Sequence, residues 1–397
     1  MSRTYLLIAD AFYPKELPPE AQTNTFLALG LVRRGWDVAL WAGAGSALPP
    51  ESPGLRLLRC VNFWGMAEMV RIALWIWRNR PERIGLAYGS VFYSNRGYIK
   101  LVPFLARFFG IPCTVLFTNG NLPGSERIET CLRWLAGRQR AEHRMGLLAD
   151  SNRLVFYSEV DRNGLLGSAP SELWARTVLC TPPAVLPAVG PANAAAARAE
   201  LGATTDDWLI GYFGLLYPEK GVEWLVDAIE MLVRQGAAVK LAVIGGNGGC
   251  SSNPEWNTAC ERYERRLRDK VQAQGLHQHV TFVGYVLGSV AAQYIAACDA
   301  ICLPFDDGLT GTRSSFMECA ALGVPIITTI SDRTDAHLCN PECGILYVSP
   351  RNPKQIADTV LFLMEDKTRA AHYRTLIMQF ATEYGQREKI VECFDGL

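Results

Sequence analysis

Strand-like and helix-like segments alternate along this chain in two series, with one break between them. The first series opens with TYLLIAD, AQTNTFLALGLVRRG and DVALWAG, and the second with WLIGYFG, VEWLVDAIEMLVRQG and VKLAVIGG. Such alternation is typical of a parallel sheet with helices on both faces. Prolines, alanines and a glycine interrupt it at residues 181–200 and predict a linker. The sequence therefore predicts an α/β protein with two Rossmann-like domains in tandem.

Composition excludes several classes of protein. With 397 residues, 49% hydrophobic and 20% charged, the chain is expected to fold into two globular domains and not to be disordered. Its formal net charge is zero, so no field for attracting nucleic acid is predicted. The apolar run near the N-terminus ends at Asp10 and predicts a first strand, not a signal peptide. No uncharged apolar run reaches the roughly 18 residues that a membrane-spanning helix needs.

The cysteines and histidines predict no metal site. The twelve cysteines form no CxxC pair, and the five histidines are scattered among them. Most of the thiols are therefore expected to be reduced core residues of a cytoplasmic protein.

Residues 301–329 combine the elements of a phosphate-binding site. The strand ICLPF leads into the loop DDGLTGTRSS, then into the helix FMECAALG, which ends at Gly323 before the strand VPIITT. The N–H groups of the loop and of the first helical turn favour an anion, as does the helix dipole. Arg313 adds a permanent positive charge that can bind two phosphate oxygens.

The sequence resembles a known family, the GT-B retaining glycosyltransferases of family 4 (glycosyl transferases group 1). The matching segments are GLLYPEKGVEWLVDAI, VKLAVIGG, HVTFVGYV, CDAICLPF, FMECAALGVPII and CGILYVSPRNPKQIADTV, and the first half matches more weakly through FYPKELPPEAQTNTFLALGLVRRGWDV. The resemblance implies two Rossmann-like domains that face a cleft: an acceptor-binding domain at 1–184 and a nucleotide-sugar-binding domain at 201–376. It also implies that residues 377–397 return to the first domain as a helix. Phe380, Ile390, Val391 and Phe394 recur near helical spacing and are expected to form that helix's buried stripe.

The family's lysine that contacts the donor diphosphate corresponds to Lys220 in YPEKG. The residues alone also allow a solvated loop lysine at this position. The family usually has an arginine five positions earlier, where this chain has Leu215, and Arg313 is the candidate replacement. Both cations are predicted to act in catalysis by stabilising the charge on the leaving nucleotide.

Glu318 matches the second glutamate of the family's E-x7-E pattern, which binds the ribose hydroxyls. Ser315 and Glu318 also fit an S-x-x-E capping box, and the two interpretations do not exclude each other. Thr310 replaces the first glutamate, so Asp306 or Asp307 is the candidate for contacting the donor sugar, with an Asp-Gly turn as the alternative.

Backbone groups complete the predicted donor site. The phosphate-binding N–H groups are expected from Gly311, Thr312, Ser314 and Ser315. Gly214 and Gly245 each follow a predicted strand, and the resemblance places them beside the nucleotide. Gly284 and Tyr285 occupy the position where the family's backbone contacts the base.

The acceptor side departs further from the family. The glycine pair after the first strand is missing, which leaves Lys15 and Glu20 as candidates on PKELPPEAQTN. Thr118 and Asn119 follow a later strand, and Asn119 stands where the family often has a catalytic histidine. An amide can position a hydroxyl but cannot accept a proton as imidazole does.

These residues predict metal-independent transfer of a sugar, with retention, from a nucleotide-sugar to a saccharide or lipid-linked acceptor in polysaccharide or glycoconjugate synthesis. The nucleotide-sugar is a substrate, and no cofactor is predicted. The alternatives are a sugar-nucleotide epimerase and a non-catalytic GT-B partner subunit. The helix in MAEMVRIALWIWRNRPER either packs on its sheet, which we favour, or lies on the inner face of a membrane.

Overall fold

The computed structural model describes residues 3–13, 19–50, 52–89, 97–118, 147–167, 169–246, 254–286, 288–385 and 387–396. The chain divides into two compact units. One comprises Met1–Thr181 together with Arg387–Leu397, and the other comprises Pro182–Gln386.

The first unit is built on a seven-stranded parallel sheet with the order β3-β2-β1-β4-β5-β6-β7. Its strands are β1 Arg3–Ala9, β2 Trp36–Gly43, β3 Leu55–Val61, β4 Arg83–Tyr88, β5 Cys113–Phe117, β6 Arg153–Phe156 and β7 Thr177–Leu179. Five successive residues at the end of β1 are buried, as expected for a central strand covered on both faces.

Helices cover both faces of this sheet. The helices are α1 Pro19–Arg33, α2 Met66–Asn79, α3 Val102–Phe108, α4 Glu159–Leu166 and α5 Ser171–Trp174. Leu6 and Ile8 of β1 belong to one core with residues of α2 and α3. Tyr5 and Leu7 point the other way, into a core shared with α1 and with the last helix of the chain.

The second unit is built on a six-stranded parallel sheet with the order β10-β9-β8-β11-β12-β13. Its strands are β8 Trp208–Phe213, β9 Val239–Ile244, β10 Val280–Gly284, β11 Ala300–Leu303, β12 Ile326–Thr329 and β13 Ile345–Val348. Its helices are α6 Pro191–Glu200, α7 Val222–Arg234, α8 Pro254–Ala273, α9 Gly288–Ala296, α10 Ser314–Ala321, α11 Pro353–Met364 and α12 Lys367–Tyr384.

The predicted linker at 181–200 is wrong in its second half, because residues 191–200 form helix α6. Alanine has the highest helix propensity, and the proline at the first helical position costs nothing there because its N–H would have no intrahelical partner. Ala197 is buried, and Arg198 forms an ion pair with Asp299 at 3.0 Å. The Ala-rich stretch is therefore part of the second unit.

The C-terminal boundary at 377 is also wrong. Helix α12 runs to Tyr384, and Ile377 and Phe380 lie in the core of the second unit. The chain passes to the first unit only at Arg387, where α13 (Arg387–Asp395) begins. Ile390, Val391 and Phe394 are buried in that unit, so the expected stripe is divided between two helices.

Among the residues described, no helix is both long enough and apolar enough to cross a bilayer. The ten described cysteines are all free thiols.

Candidate functional site

The strand order of the second unit reverses between β8 and β11, which lie side by side. Ligands of open α/β sheets bind beyond the carboxyl ends of the strands at such a switch point. Here the loop after β8 carries Lys220 into α7, and the loop after β11 carries Asp306, Asp307 and Arg313 into α10. The fold therefore places the two segments that the sequence singled out next to each other.

Three of the predicted glycines lie together at the ends of β8, β9 and β10. The N–H of Gly245 donates to the carbonyl of Gly284 at 2.9 Å. A Cβ atom on Gly245 would lie 2.0 Å from the carbonyl oxygen of Gly214, and φ of Gly245 is +126°. Only glycine permits this approach and this conformation. Tyr285, the next residue after Gly284, is 41% exposed.

Lys220 and Arg313 meet at one aromatic ring. The Nζ atom of Lys220 lies 4.9 Å from the ring centroid of Phe305, and the Cζ atom of Arg313 lies 4.6 Å from it. Tyr217 contacts both cations, since Lys220 Nζ is 4.7 Å from its ring centroid and Arg313 Nη1 is 3.4 Å from its hydroxyl. Lys220 is only 7% exposed, so its charge acts in surroundings of low dielectric constant.

Two buried tyrosines hold the segment around Lys220. The hydroxyl of Tyr212 donates to the carbonyl of Leu215 at 3.0 Å. The hydroxyl of Tyr263 accepts from the N–H of Val222 at 3.0 Å and donates to the carboxylate of Glu223. Burial raises the pKa of both tyrosines well above the usual value, so both hydroxyls remain protonated donors.

Asp306 and Asp307 have different partners. Asp307 Oδ1 pairs with Arg313 Nη2 at 2.5 Å. Asp306 accepts a hydrogen bond from Trp224 Nε1 at 2.9 Å and pairs with Arg351 at 2.9 Å. These two contacts hold the Asp306 carboxylate against α7 and against the loop before α11. Arg313 Nε is buried without a hydrogen-bond partner. Of the two aspartates, Asp307 is therefore the one tied to the cation pair.

Some of the predicted phosphate-binding N–H groups already have acceptors. The Gly311 N–H donates to Asp335 Oδ2 at 2.6 Å, and the Ser314 N–H donates to the Thr312 carbonyl at 3.0 Å. In this arrangement these two N–H groups are not available to an anion. The Thr310 hydroxyl contacts that of Thr312 at 2.8 Å, so the residue that replaces the family's glutamate is part of the loop's own hydrogen bonding.

Glu318 is 7% exposed and receives two backbone hydrogen bonds. Its Oε1 accepts from Val185 N at 2.8 Å, and its Oε2 accepts from Leu186 N at 2.9 Å. The capping-box interpretation is wrong: α10 begins at Ser314, one residue before Ser315, and the carboxylate turns to the segment before α6. Ser315 is buried, and its Cβ would lie 3.8 Å from a Cβ atom added to Gly214. The start of α10 therefore faces the group formed by Gly214, Gly245 and Gly284, which we call the glycine cluster.

The predicted acceptor residues belong to the first unit. The N–H of Thr118 donates to the Tyr88 carbonyl at 3.0 Å, at the carboxyl ends of β4 and β5. Glu20 lies in the first turn of α1. Lys15 and Asn119 lie outside the described residues.

Sequence reasoning missed three residues of the site: Tyr217, Phe305 and Asp335. Asp335 is 1% exposed, and its contact with Gly311 joins segments 24 residues apart, which no local pattern indicates. Tyr217 and Phe305 stood within the quoted motifs, but their contacts with the cations depend on the pairing of β8 with β11. Within the described ranges, no three histidine, cysteine or acidic residues are grouped as metal ligands.

Residues 208–366 match the family model for glycosyl transferases group 1. The D-inositol 3-phosphate glycosyltransferase of Stackebrandtia nassauensis is 28% identical over 175 residues, which cover 43% of this chain and 37% of that protein's length. The protein of the same name from Actinosynnema mirum is 25% identical over 331 residues, covering 76% and 73%. The solved structure of Anabaena HepE in complex with UDP and glucose has a TM-score of 0.70 at 15% identity, covering 99% of this chain and 100% of that one.

Two parallel-sheet α/β units, of seven and six strands, define a GT-B protein, and the predicted fold class is confirmed. The match to the glycosyl transferases group 1 family lies within the second unit, where the resemblance was strongest.

Proposed function

We propose that this protein transfers a sugar, with retention and without a metal ion, from a nucleotide-sugar bound in the second unit. The acceptor is a saccharide or a lipid-linked molecule that the first unit binds, and the reaction takes place in the cytoplasm. The observation that carries this proposal is the position of Lys220 and Arg313 at one ring beside the N-terminus of α10. Since HepE was solved with UDP and glucose, UDP-glucose is the first donor to test.

The two cations are suited to a diphosphate leaving group. As the bond between the sugar's anomeric carbon and the phosphate oxygen breaks, negative charge grows on that oxygen. Positive charges fixed beforehand in surroundings of low dielectric constant stabilise this charge without reorganising. We assign the diphosphate to Lys220 and Arg313, with the start of α10 adding its dipole.

Asp307 has a role that changes with binding. In the structure its carboxylate pairs with Arg313. A diphosphate at Arg313 competes with that pair, and the displaced carboxylate can accept hydrogen bonds from hydroxyls of the donor sugar.

We assign the ribose to Glu318. Its carboxylate oxygens each accept one backbone N–H, from Val185 and Leu186. A carboxylate oxygen can accept two hydrogen bonds, so these contacts orient the group without using its full capacity. The 2′- and 3′-hydroxyls of a ribose fit two such neighbouring oxygens.

Retention is proposed from the family resemblance, and it agrees with a sequence in which no set of nucleophile, base and acid stands out. The acceptor hydroxyl attacks the anomeric carbon from the face that the phosphate leaves, and its proton passes to the leaving phosphate oxygen. Thr118, Asn119, Lys15 and Glu20 are the candidates for holding the acceptor. In this scheme protein side chains position the reactants and stabilise charge, but none forms a bond to the sugar.

The test is incubation with radiolabelled UDP-, GDP- and dTDP-sugars and a panel of saccharide and lipid-linked acceptors, with EDTA in a parallel series. We expect transfer or slow donor hydrolysis with one nucleotide class, unaffected by EDTA and lost in Lys220→Ala. The anomeric configuration of the product, read by NMR, tests retention. An epimerised sugar would support the epimerase alternative, and no turnover despite nucleotide binding would support a non-catalytic subunit.

A further inference from the structure

Helix α2 carries two apolar faces. Met69, Ile72 and Ile76 are buried against the sheet. Met66, Val70, Leu74 and Trp77 are 50%, 52%, 46% and 55% exposed. At 3.6 residues per turn these four side chains fall within an arc of about 80° on the side away from the sheet. The helix therefore does pack on its sheet, as favoured from the sequence, and it also leaves an apolar stripe on the outside.

Exposed apolar side chains continue from the stripe on α2 onto the loop before it and onto α3. Phe63, in the loop that leads into α2, is 54% exposed. Phe104 and Phe108 are 47% and 73% exposed, and they lie one turn apart on α3, which packs beside α2 in the same core. Most of the large exposed apolar side chains of the described part of the first unit thus lie on this layer. Such a concentration on one surface marks an interaction site. We call this surface, made of Phe63, α2 and α3, the apolar layer.

Positive charge borders the apolar layer. Arg71 and Arg78 lie along one edge of the stripe on α2, and both are exposed. The one carboxylate of α2, Glu68, is 4% exposed and is shared by Arg59 and Arg71, each at 2.7 Å. Because two half-exposed guanidinium groups share this buried carboxylate, they retain a net positive charge. Asp150, the ion-pair partner of Arg107 on α3, is likewise only 9% exposed.

We propose that the apolar layer binds the surface of a bilayer that contains anionic lipids. An apolar stripe about three turns long with arginines along its edge matches a helix that lies in the membrane interface. The aromatic side chains favour the depth of the headgroups, and guanidinium groups bind lipid phosphates. A protein partner or a second copy would need carboxylates to complement these arginines, whereas an anionic membrane supplies that charge along its whole surface. The inference rests on the apolar layer alone and does not depend on the proposed transfer reaction.

The experiment is cosedimentation of the full chain with lipid vesicles in the absence of any sugar donor. We expect binding to phosphatidylcholine vesicles that contain ~30 mol% phosphatidylglycerol, and much weaker binding to pure phosphatidylcholine. Binding to the anionic vesicles should fall as salt rises from about 0.05 M to about 0.5 M. Arg78→Glu removes one positive charge and adds a negative one, so it should lower the partition coefficient by more than the roughly fivefold factor expected for one lost charge.

Two apolar variants and two controls complete the design. Trp77→Asp and Leu74→Asp should each reduce binding to the anionic vesicles by roughly tenfold, since each places a charge in the apolar stripe. Met378→Asp and Arg333→Glu change exposed residues of the second unit and should bind like the wild type. Circular dichroism melting confirms that each variant is folded.

Equal binding of the stripe variants and the wild type, or no preference for anionic vesicles, would overturn the proposal. So would a dimer in light scattering that Trp77→Asp converts to a monomer while vesicle binding is absent, because the occupant would then be a second copy. Lys220→Ala should bind vesicles normally, which separates this inference from the proposed transfer reaction.

Discussion

Lys220 and Arg313 lie 93 residues apart in sequence and contact the same aromatic ring, that of Phe305. Lys220 follows β8, and Arg313 follows β11. Because β8 and β11 are neighbours at the point where the strand order reverses, the two loops bring their cations together. Leu215 stands where the family usually has an arginine. Arg313, which belongs to another loop, contacts the hydroxyl of Tyr217, two residues beyond that position.

Lys220→Ala and Arg313→Ala should each weaken binding of a nucleoside diphosphate by about 1.5–3 kcal/mol, the range for hydrogen bonds to charged groups. The loss should be much smaller for the bare nucleoside. Calorimetry with both ligands measures the difference, and Arg333→Ala serves as a control on the surface of the same unit. Equal losses for diphosphate and nucleoside would contradict phosphate contact.

Asp307→Asn separates the two roles of the aspartate. If Asp307 only neutralises Arg313, its removal should tighten nucleoside diphosphate binding, because the guanidinium no longer has a competing partner. If Asp307 also contacts the sugar, the same variant should bind the intact nucleotide-sugar more weakly. Calorimetry with the two ligands distinguishes these outcomes, and an unchanged affinity for both would remove Asp307 from the site.

Glu318→Gln should lower stability and ribose affinity together. The amide NH₂ group would replace one carboxylate oxygen and face the N–H of Val185 or Leu186, which costs about 1–3 kcal/mol of unfolding free energy. If Glu318 binds the ribose, the variant should also bind nucleotide more weakly than the wild type, but it should bind a 2′,3′-dideoxyribose analogue equally well. A lower melting temperature with unchanged nucleotide affinity would leave the residue a purely structural role.

The fold could be predicted from sequence where periodicity and turn residues agree. The buried stripe of α7 (Val222, Leu225, Val226, Ile229 and Leu232) repeats at helical spacing between two apolar strands. The error at residues 191–200 arose because proline was taken as a breaker, although at the first helical position it is favourable. The error at 377 arose because one apolar stripe spans two helices that belong to different units.

The site could be predicted less completely, because its details depend on contacts between loops. Lys220, Arg313 and Glu318 stand next to strand ends, where sequence can indicate function. The partners of Asp306 and Asp307 differ although the residues are adjacent, and only the positions of Trp224 and Arg351 decide between them. The burial of Asp335 beneath Gly311 likewise has no local signal.

Asp335→Ala should lower the unfolding free energy by about 1–3 kcal/mol, because it leaves the Gly311 N–H without its acceptor. The loop that presents Arg313 should also lose its fixed shape, so nucleotide-sugar affinity should fall. Thermal denaturation and calorimetry measure the two effects. Asp332→Ala, an exposed change nearby, is the control, and unchanged affinity would show that the loop keeps its shape without Asp335.

Gly245→Ala should be strongly destabilising, since the new Cβ would lie 2.0 Å from the Gly214 carbonyl and φ is +126°. Gly190→Ala is the matched control, because a Cβ there meets nothing within 4 Å. Urea denaturation of both variants tests the difference. If both variants unfold at the wild-type midpoint, the close approach at the glycine cluster does not hold in solution.

The second unit provides the last test, because its boundaries determine which fragment can fold. A fragment of residues 201–376 would lack α6, Ile377 and Phe380, all of which contribute to that unit's core. A fragment of residues 182–386 retains them, together with the contacts of Val185 and Leu186 with Glu318. We expect 182–386 to be the more stable of the two and to bind nucleotide weakly, since Lys220, Arg313 and Glu318 all lie within it.

Removal of residues 377–397 from the full chain should abolish transfer, because it also deprives the first unit of Phe394, whose carbonyl accepts from the Tyr5 hydroxyl at 3.1 Å. A folded 182–386 fragment that binds no nucleotide at millimolar concentration would contradict the donor-site assignment as a whole.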